Sequence, residues 1–211
     1  MAQTVAPEYA QFIAAERGAN RLAAASHAMA EGQVTKPVVV EAGKGAELLR
    51  VAARRAAGLF RPSKHTEVVW VEGDSELAVS LVALDVKFAA GLIRVLIPVR
   101  CDQTGAATIE VVFACGSPDQ PAGLYAAAPR RPNGPALIVA TWGDALVAFA
   151  WQCVLGMVTG LAGATGKDQR GNVLVPVELA ASARGMEIVP MARHRFAGSS
   201  GLKPTALKVQ R

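Results

Sequence analysis

The chain is poor in charged and in aromatic residues, and both shortages limit what kind of protein it can be. Only 18% of its 211 residues are charged, whereas 52% are hydrophobic. Such a chain can bury a large core, and this composition excludes global disorder. The length suits one large domain or two small ones. With six Phe, three Trp and two Tyr, the core has to be built mainly from Val, Leu, Ile and Ala.

The sequence also lacks the marks of a secreted protein. Its start, MAQTVAPEYAQFIAAERG, has no basic stretch followed by an apolar one, which is the pattern of a signal peptide. The three cysteines, Cys101, Cys115 and Cys153, are an odd number and cannot all pair within the chain. Together these features predict free thiols and a cytoplasmic location.

Patterns that carry catalysis or metal binding are scarce. No two of the three histidines and three cysteines stand at the short spacing of a metal site. No Ser-His-Asp elbow or carboxylate pair indicates acid–base chemistry. Cys115 could act as a nucleophile with His65 or His194 as its base, but a buried structural thiol is the commoner case. We therefore predict no catalytic residue, no metal site and no cofactor.

The stretch GLAGATGKDQ at 160–169 is similar to a phosphate-binding loop but departs from its pattern. The glycines before Gly166-Lys167 have the wrong spacing, and Asp168 stands where the loop needs Ser or Thr. The stretch also follows an apolar segment, so it would lie at the negative end of a helix dipole. We interpret it as a helix stop with Gly166 as the C-cap.

Hydrophobic periodicity predicts an α+β fold, in which a mainly antiparallel sheet packs against a long apolar central helix, with N-terminal helices. We predict a single α+β domain over 1–196 and a basic tail over 197–211. Helices are predicted at 8–31 and 46–60, paired strands at 66–84, a hairpin at 91–116, a loop at 117–135, and further strands at 136–143, 172–181 and 187–196. The last two strands contain Pro176 and Pro190, so we expect each to be bulged or at a sheet edge.

The central helix is predicted over 145–166, a run of 22 residues without a charge that follows Asp144 as a plausible N-cap. Gly156, Gly160 and Gly163 share one face, which indicates close approach of another backbone. We expect one face to lie on the sheet and the other to be covered by the N-terminal helices or a second copy. The length also suits a membrane span, but the many small residues and the strands that follow favour a soluble core helix.

Positive charge is concentrated in two segments. Residues 44–64 hold six basic residues against Glu47, and residues 184–211 hold six against Glu187. Such segments bind polyanions through charge and counterion release, so we predict contacts with nucleic acid or another acidic partner. The predicted contact residues are Lys44, Arg50, Arg54, Arg55, Arg61, Lys64, Arg193, Arg195, Lys203, Lys208 and Arg211.

The sequence therefore favours a non-enzymatic binding or assembly subunit, with a homo-oligomer as a predicted state. Two alternatives stay open at this stage. One is an enzyme or binder of a small apolar ligand in a pocket between the sheet and the central helix. The other is a membrane-anchored assembly protein. A simpler interpretation of the two basic segments is that their arginines are ordinary solvated surface residues and bind no partner.

Overall fold

The structure is a computed structural model that describes residues 38–59, 65–119, 122–123, 128–164 and 174–192. The helix expected at 8–31 and the tail expected at 197–211 lie outside these residues. Within them the fold is α+β, with two antiparallel sheets packed against a long apolar helix. The elements are β1 Val38–Glu41, α1 Ala42–Ala56, β2 Glu67–Glu72, β3 Ser75–Ser80, β4 Asp85–Ala89, β5 Leu92–Cys101, β6 Gly105–Ala114, β7 Ala122–Gly123, β8 Ala128–Pro129, α2 Ala136–Ala164, β9 Leu174–Ser182 and β10 Gly185–Ala192.

The strands divide between sheet A and sheet B. Sheet A has the order β1-β10-β9-β7, and sheet B has the order β2-β3-β5-β6-β8, with β4 paired to β5 as well. The two sheets join where the Gly91 N–H donates to the Ala181 carbonyl (3.0 Å) and the Ala181 N–H donates to the Gly116 carbonyl (2.8 Å). These hydrogen bonds connect the two sheets, and strands of both sheets contact α2.

The hairpins lie where the sequence predicts them. The pair β2–β3 turns at Gly73 (φ 58°), and the pair β5–β6 turns so that Cys101 faces Gly105 (φ 71°). Along β5 buried and more exposed residues alternate, because successive side chains of a strand point to opposite faces. The alternation assigns one face of sheet B to the core and the other to solvent.

The prolines of the last two strands sit at a bulge, as expected. Strand β10 lies between β1 and β9, and β9 lies between β10 and β7, but β1 pairs only with 185–188 and β7 only with 178–179. In the described part of the chain Pro190 and Pro176 therefore also lie beyond the pairs that the outer neighbour strands make. The register shifts between Val189 and Pro190, and Pro190 faces Pro176 across the ladder. Neither proline has an N–H to donate. Both missing donors therefore lie at the same interruption of the β9–β10 ladder.

The prediction of a strand at 136–143 is wrong, because these residues form the first two turns of α2. Ile138 and Trp142 are four residues apart, so they lie on one face of the helix, and both are buried. That burial outweighs the strand preference of the β-branched residues in this stretch. Asp144 consequently lies inside the helix with an exposed side chain and is not an N-cap.

Strand β4 was not predicted from the sequence, and neither were the two-residue strands β7 and β8, which lie in the predicted loop at 117–135. Strand β4 has only five residues, and Asp85 and Lys87 alternate in it with the inward-facing Val86 and Phe88. Two apolar residues are too few to produce a clear period-two pattern. The strand forms because β5 is long enough to pair with β3 at one end and with β4 at the other.

The scarce aromatic residues gather on α2. The Trp70 ring lies 6.3 Å from that of Trp142 and 5.6 Å from that of Phe149, and the Phe113 ring lies 5.2 Å from that of Trp151. These five rings, together with aliphatic side chains from both sheets, join α2 and sheet B in one core. Trp151 belongs to the bulky side of α2, whereas Phe149 and Trp142 stand seven and fourteen residues before Gly156 and so share the side of the glycines. Sheet B therefore contacts both sides of the helix.

At Gly156 the flat side of α2 is covered by α1, one of the N-terminal helices predicted to cover one side. A methyl group added at Gly156 would lie 3.2 Å from the Cβ atom of Ala52, whereas one added at Gly160 would meet no described atom within 4 Å. The predicted close approach therefore occurs at Gly156 and not at Gly160. By length and composition, residues 136–161 could cross a membrane, but 61% of the most apolar stretch is buried inside the protein, as in a core helix.

Candidate functional site

Helix α1 carries the first part of the basic segment at 44–64, and its buried residues hold it against the rest of the fold. Its buried residues lie on one side and pack against α2 and sheet B; they are Gly45, Leu49, Ala52 and Ala53. The opposite stripe is exposed and consists of Lys44, Glu47, Val51 and Arg55. Lys44 and Arg55 are separated by eleven residues, about 16 Å along the axis. The helix therefore holds two exposed cations at a fixed spacing.

Arg50 has a structural role that the sequence did not indicate. Its Nε atom donates a hydrogen bond of 2.8 Å to the carbonyl oxygen of Leu84, and the group is partly buried. Leu84 lies in the connection between β3 and β4, so Arg50 ties α1 to sheet B. No local signal predicts this bond, because the partners are 34 positions apart. Arg54 on the same flank is half-buried.

We expect the Arg50→Met variant to lose about 1–2 kcal/mol of unfolding free energy, because the hydrogen bond to Leu84 is removed while the side-chain stem is kept. Urea denaturation followed by circular dichroism measures the change. Arg55→Met is the matched control, since Arg55 is exposed and its loss should change stability by less than about 0.5 kcal/mol. Equal stabilities of the two variants would show that the bond contributes nothing.

The second basic segment begins beside the first. The Ala42 N–H at the start of α1 donates to the Arg184 carbonyl at 2.9 Å, and Glu41 faces Gly185 in the β1–β10 ladder. Arg184 and Lys44 are both exposed near this contact. The remaining predicted contact residues, Arg61, Lys64, Arg193, Arg195, Lys203, Lys208 and Arg211, lie outside the described residues.

The three cysteines are free thiols. Cys101 faces Gly105 at the closed end of the β5–β6 hairpin, whereas Cys115 follows Ala114 at its open end. The two are thus separated by the length of the hairpin and cannot form a disulfide. Burial also raises the pKa of the Cys153 thiol. Among the described residues, no group of three His, Cys, Asp or Glu side chains could hold a metal ion.

Cys115, the one cysteine considered as a nucleophile, lies in the wrong environment for that role. Burial raises the pKa of its thiol to about 11, although a hydrogen bond with the Ala181 backbone acts in the opposite direction. A nucleophilic cysteine needs a lowered pKa, because the thiolate is the reactive form. The environment is that of a structural thiol.

We expect Cys115 to react slowly with iodoacetamide at neutral pH. With a pKa of about 11, roughly one thiol in ten thousand is ionised at pH 7. The rate should rise about tenfold per pH unit up to the pKa, while the protein stays folded. Mass spectrometry of the labelled peptide measures it, with the urea-unfolded chain as the fast-reacting control. Rapid labelling of the folded chain at pH 7 would contradict the assignment of a structural thiol.

No protein-family model, no curated protein and no solved structure matches this chain. The functional argument therefore depends on the residues and contacts described above. Among them, the cations of α1 and of the neighbouring turn at Arg184 belong to the two basic segments that the sequence predicts to contact a partner. We call Lys44, Arg54, Arg55 and Arg184 the α1 basic surface.

Proposed function

We propose that the protein acts by binding, as a non-enzymatic subunit whose basic segments at 44–64 and 184–211 contact nucleic acid or another acidic partner. The observation that carries the proposal is the hydrogen bond from Ala42 to Arg184 (2.9 Å). It brings the starts of the two basic segments together, so that their charges can act on one partner. We further propose a reducing, cytoplasmic setting, in keeping with three free thiols.

The charges of α1 support binding to a polyanion. Four basic residues stand on this helix against Glu47 alone, and two of them, Lys44 and Arg55, are exposed. Because the helix backbone is already ordered, a phosphate contact costs these cations side-chain entropy but no further backbone entropy. Each phosphate contact releases condensed counterions, which favours binding irrespective of base sequence. The expected partner is therefore recognised by its charge density and not by its sequence.

The test is the affinity for mixed-sequence double-stranded DNA and for RNA as a function of salt concentration, measured by fluorescence anisotropy. We expect the logarithm of the binding constant to fall linearly with the logarithm of the salt concentration. The Lys44→Gln/Arg55→Gln double variant should weaken binding to all sequences alike. It should also reduce the slope by about two, one for each phosphate that is no longer neutralised. Arg50 is left unchanged, because its substitution would also loosen the fold.

A matched control separates a local surface from net charge. Arg55→Gln and Arg100→Gln each remove one exposed guanidinium, the first from α1 and the second from the outer face of sheet B, where Arg100 pairs with Glu67 at 3.4 Å. The proposal requires a larger drop in affinity for Arg55→Gln than for Arg100→Gln. Equal drops, or no binding of DNA, RNA or polyglutamate at low salt, would overturn it.

A further inference from the structure

The face of sheet B that is turned away from the core carries its charges in rows. On β5 the side chains of Ile93, Val95 and Ile97 are buried, so Arg94 and Leu96 lie on the outer face. Directly opposed residues of antiparallel strands share a face and are neighbours. The register of β4, β5, β6 and β8 therefore fixes which outer side chains lie beside one another.

One row across these strands is basic. Lys87 of β4 faces Arg94 of β5, and Arg94 faces Val112 of β6. The Arg130 N–H, one residue beyond β8, donates to the Val112 carbonyl at 2.8 Å, so Arg130 continues the row. We call Lys87, Arg94 and Arg130 the basic row; it spans about 15 Å at the usual strand spacing. All three side chains are exposed.

The next row along the strands is acidic. Asp85 faces Leu96, Leu96 faces Glu110, and Glu110 forms an isolated bridge with Asn133. We call Asp85 and Glu110 the acidic row. Arg94 reaches across to Glu110 at 3.4 Å, whereas Lys87 has no salt-bridge partner in the described part of the chain.

Counted over the described residues, the outer face has no net charge. Its basic residues are Lys87, Arg94, Arg100 and Arg130, and its acidic residues are Glu67, Glu76, Asp85 and Glu110. Four charges of each sign cancel, so the face gives a polyanion no net attraction. Their separation into adjacent rows of opposite sign instead makes the face complementary to itself. Half-buried Leu92, Leu96 and Val112 lie among the charges and supply apolar contact area.

We propose that this face of sheet B is the interface of a homodimer. A two-fold axis running across the strands, between the two rows, would set the basic row of one copy against the acidic row of the other. Lys87 would then lie over Asp85 of the second copy, and the same pair would recur on the other side of the axis. The unpaired Lys87 would gain an acidic neighbour, and no charge of the two rows would meet its own sign.

The test is a charge exchange read by sedimentation velocity over a range of protein concentrations. We expect the wild-type chain to form a dimer that weakens as salt is added. Lys87→Glu alone and Asp85→Lys alone should each raise the dimer dissociation constant at least about tenfold, because two pairs of like charges then face each other. The Asp85→Lys/Lys87→Glu double variant restores opposite signs and should return to within about threefold of wild type.

Two controls distinguish loss of the interface from loss of folding and from a change in net charge. Circular dichroism establishes that each variant is folded, and Arg55→Glu on α1, an equal charge change elsewhere, should leave the dissociation constant unchanged. A wild-type chain that is monomeric at low salt at all accessible concentrations would overturn the proposal. So would a dimer that neither single variant weakens, or a Lys87→Glu variant that loses DNA affinity while its oligomeric state is unchanged. The sedimentation results do not depend on whether the α1 basic surface binds a polyanion, so the dimer can be tested even if the chain binds no DNA.

Discussion

The Gly185→Ala variant is expected to lose at least about 3 kcal/mol of unfolding free energy, because the added methyl group has no space. Gly185 opens β10 with φ 141°, a conformation that side chains disfavour. Its added Cβ atom would overlap the carbonyl oxygen of Val40 and lie 3.0 Å from the Ala42 nitrogen. These two atoms belong to the junction between β1 and α1. The methyl group must therefore push β1 off the sheet or shift the start of α1.

Urea denaturation measures this effect, and Gly73→Ala provides a matched control. Gly73 also has a positive φ (58°), but an added Cβ atom meets nothing within 4 Å. Its substitution should cost only the left-handed backbone penalty, about 1–2 kcal/mol. If the two variants are equally stable, the contact with Val40 is not tight. Because the start of α1 also carries Lys44, we expect Gly185→Ala to weaken any polyanion binding that depends on that residue.

The Gly156→Leu variant is expected to destabilise the protein by about 3 kcal/mol, because it wedges α1 away from α2. A single methyl group at Gly156 already lies 3.2 Å from the Ala52 Cβ and 3.8 Å from the Ala52 Cα. Helix α1 cannot yield easily, since Leu49 and Ala53 are fully buried beside this contact. The larger side chain would have to separate two closely packed backbones.

Gly160→Leu, one turn along the same helix, is the control. Gly160 is exposed, and an added Cβ atom meets nothing within 4 Å. The substitution should leave stability unchanged or raise it by up to about 1 kcal/mol, because leucine favours helix more than glycine does. The midpoints of urea denaturation distinguish the two variants. Similar destabilisation at both positions would mean that the effect is not specific to the helix crossing.

How far the sequence could predict the site is best seen on α1. The helix predicted at 46–60 contains the basic residues Arg50 and Arg55, but the observed helix begins at Ala42 and so also carries Lys44. The sequence does not distinguish Arg50 from Arg55, yet the Arg50 Nε atom donates to the carbonyl oxygen of Leu84, 34 residues away. A periodicity compares neighbours along the chain and carries no information about such a contact. The rows of charge on sheet B could not be predicted for the same reason. They depend on the register between neighbouring strands, and β4 was not predicted.

The sequence by itself determined the α+β class, the hairpins of sheet B and the burial of a helix that is apolar on all sides, because these follow from the period of hydrophobic residues. Tertiary structure decided that 136–143 continue that helix instead of forming a strand, since Ile138 and Trp142 reach the core only in helical geometry. It also decided that Gly156 and not Gly160 meets α1. A glycine is the same residue at both places, and only the position of the neighbouring helix distinguishes them.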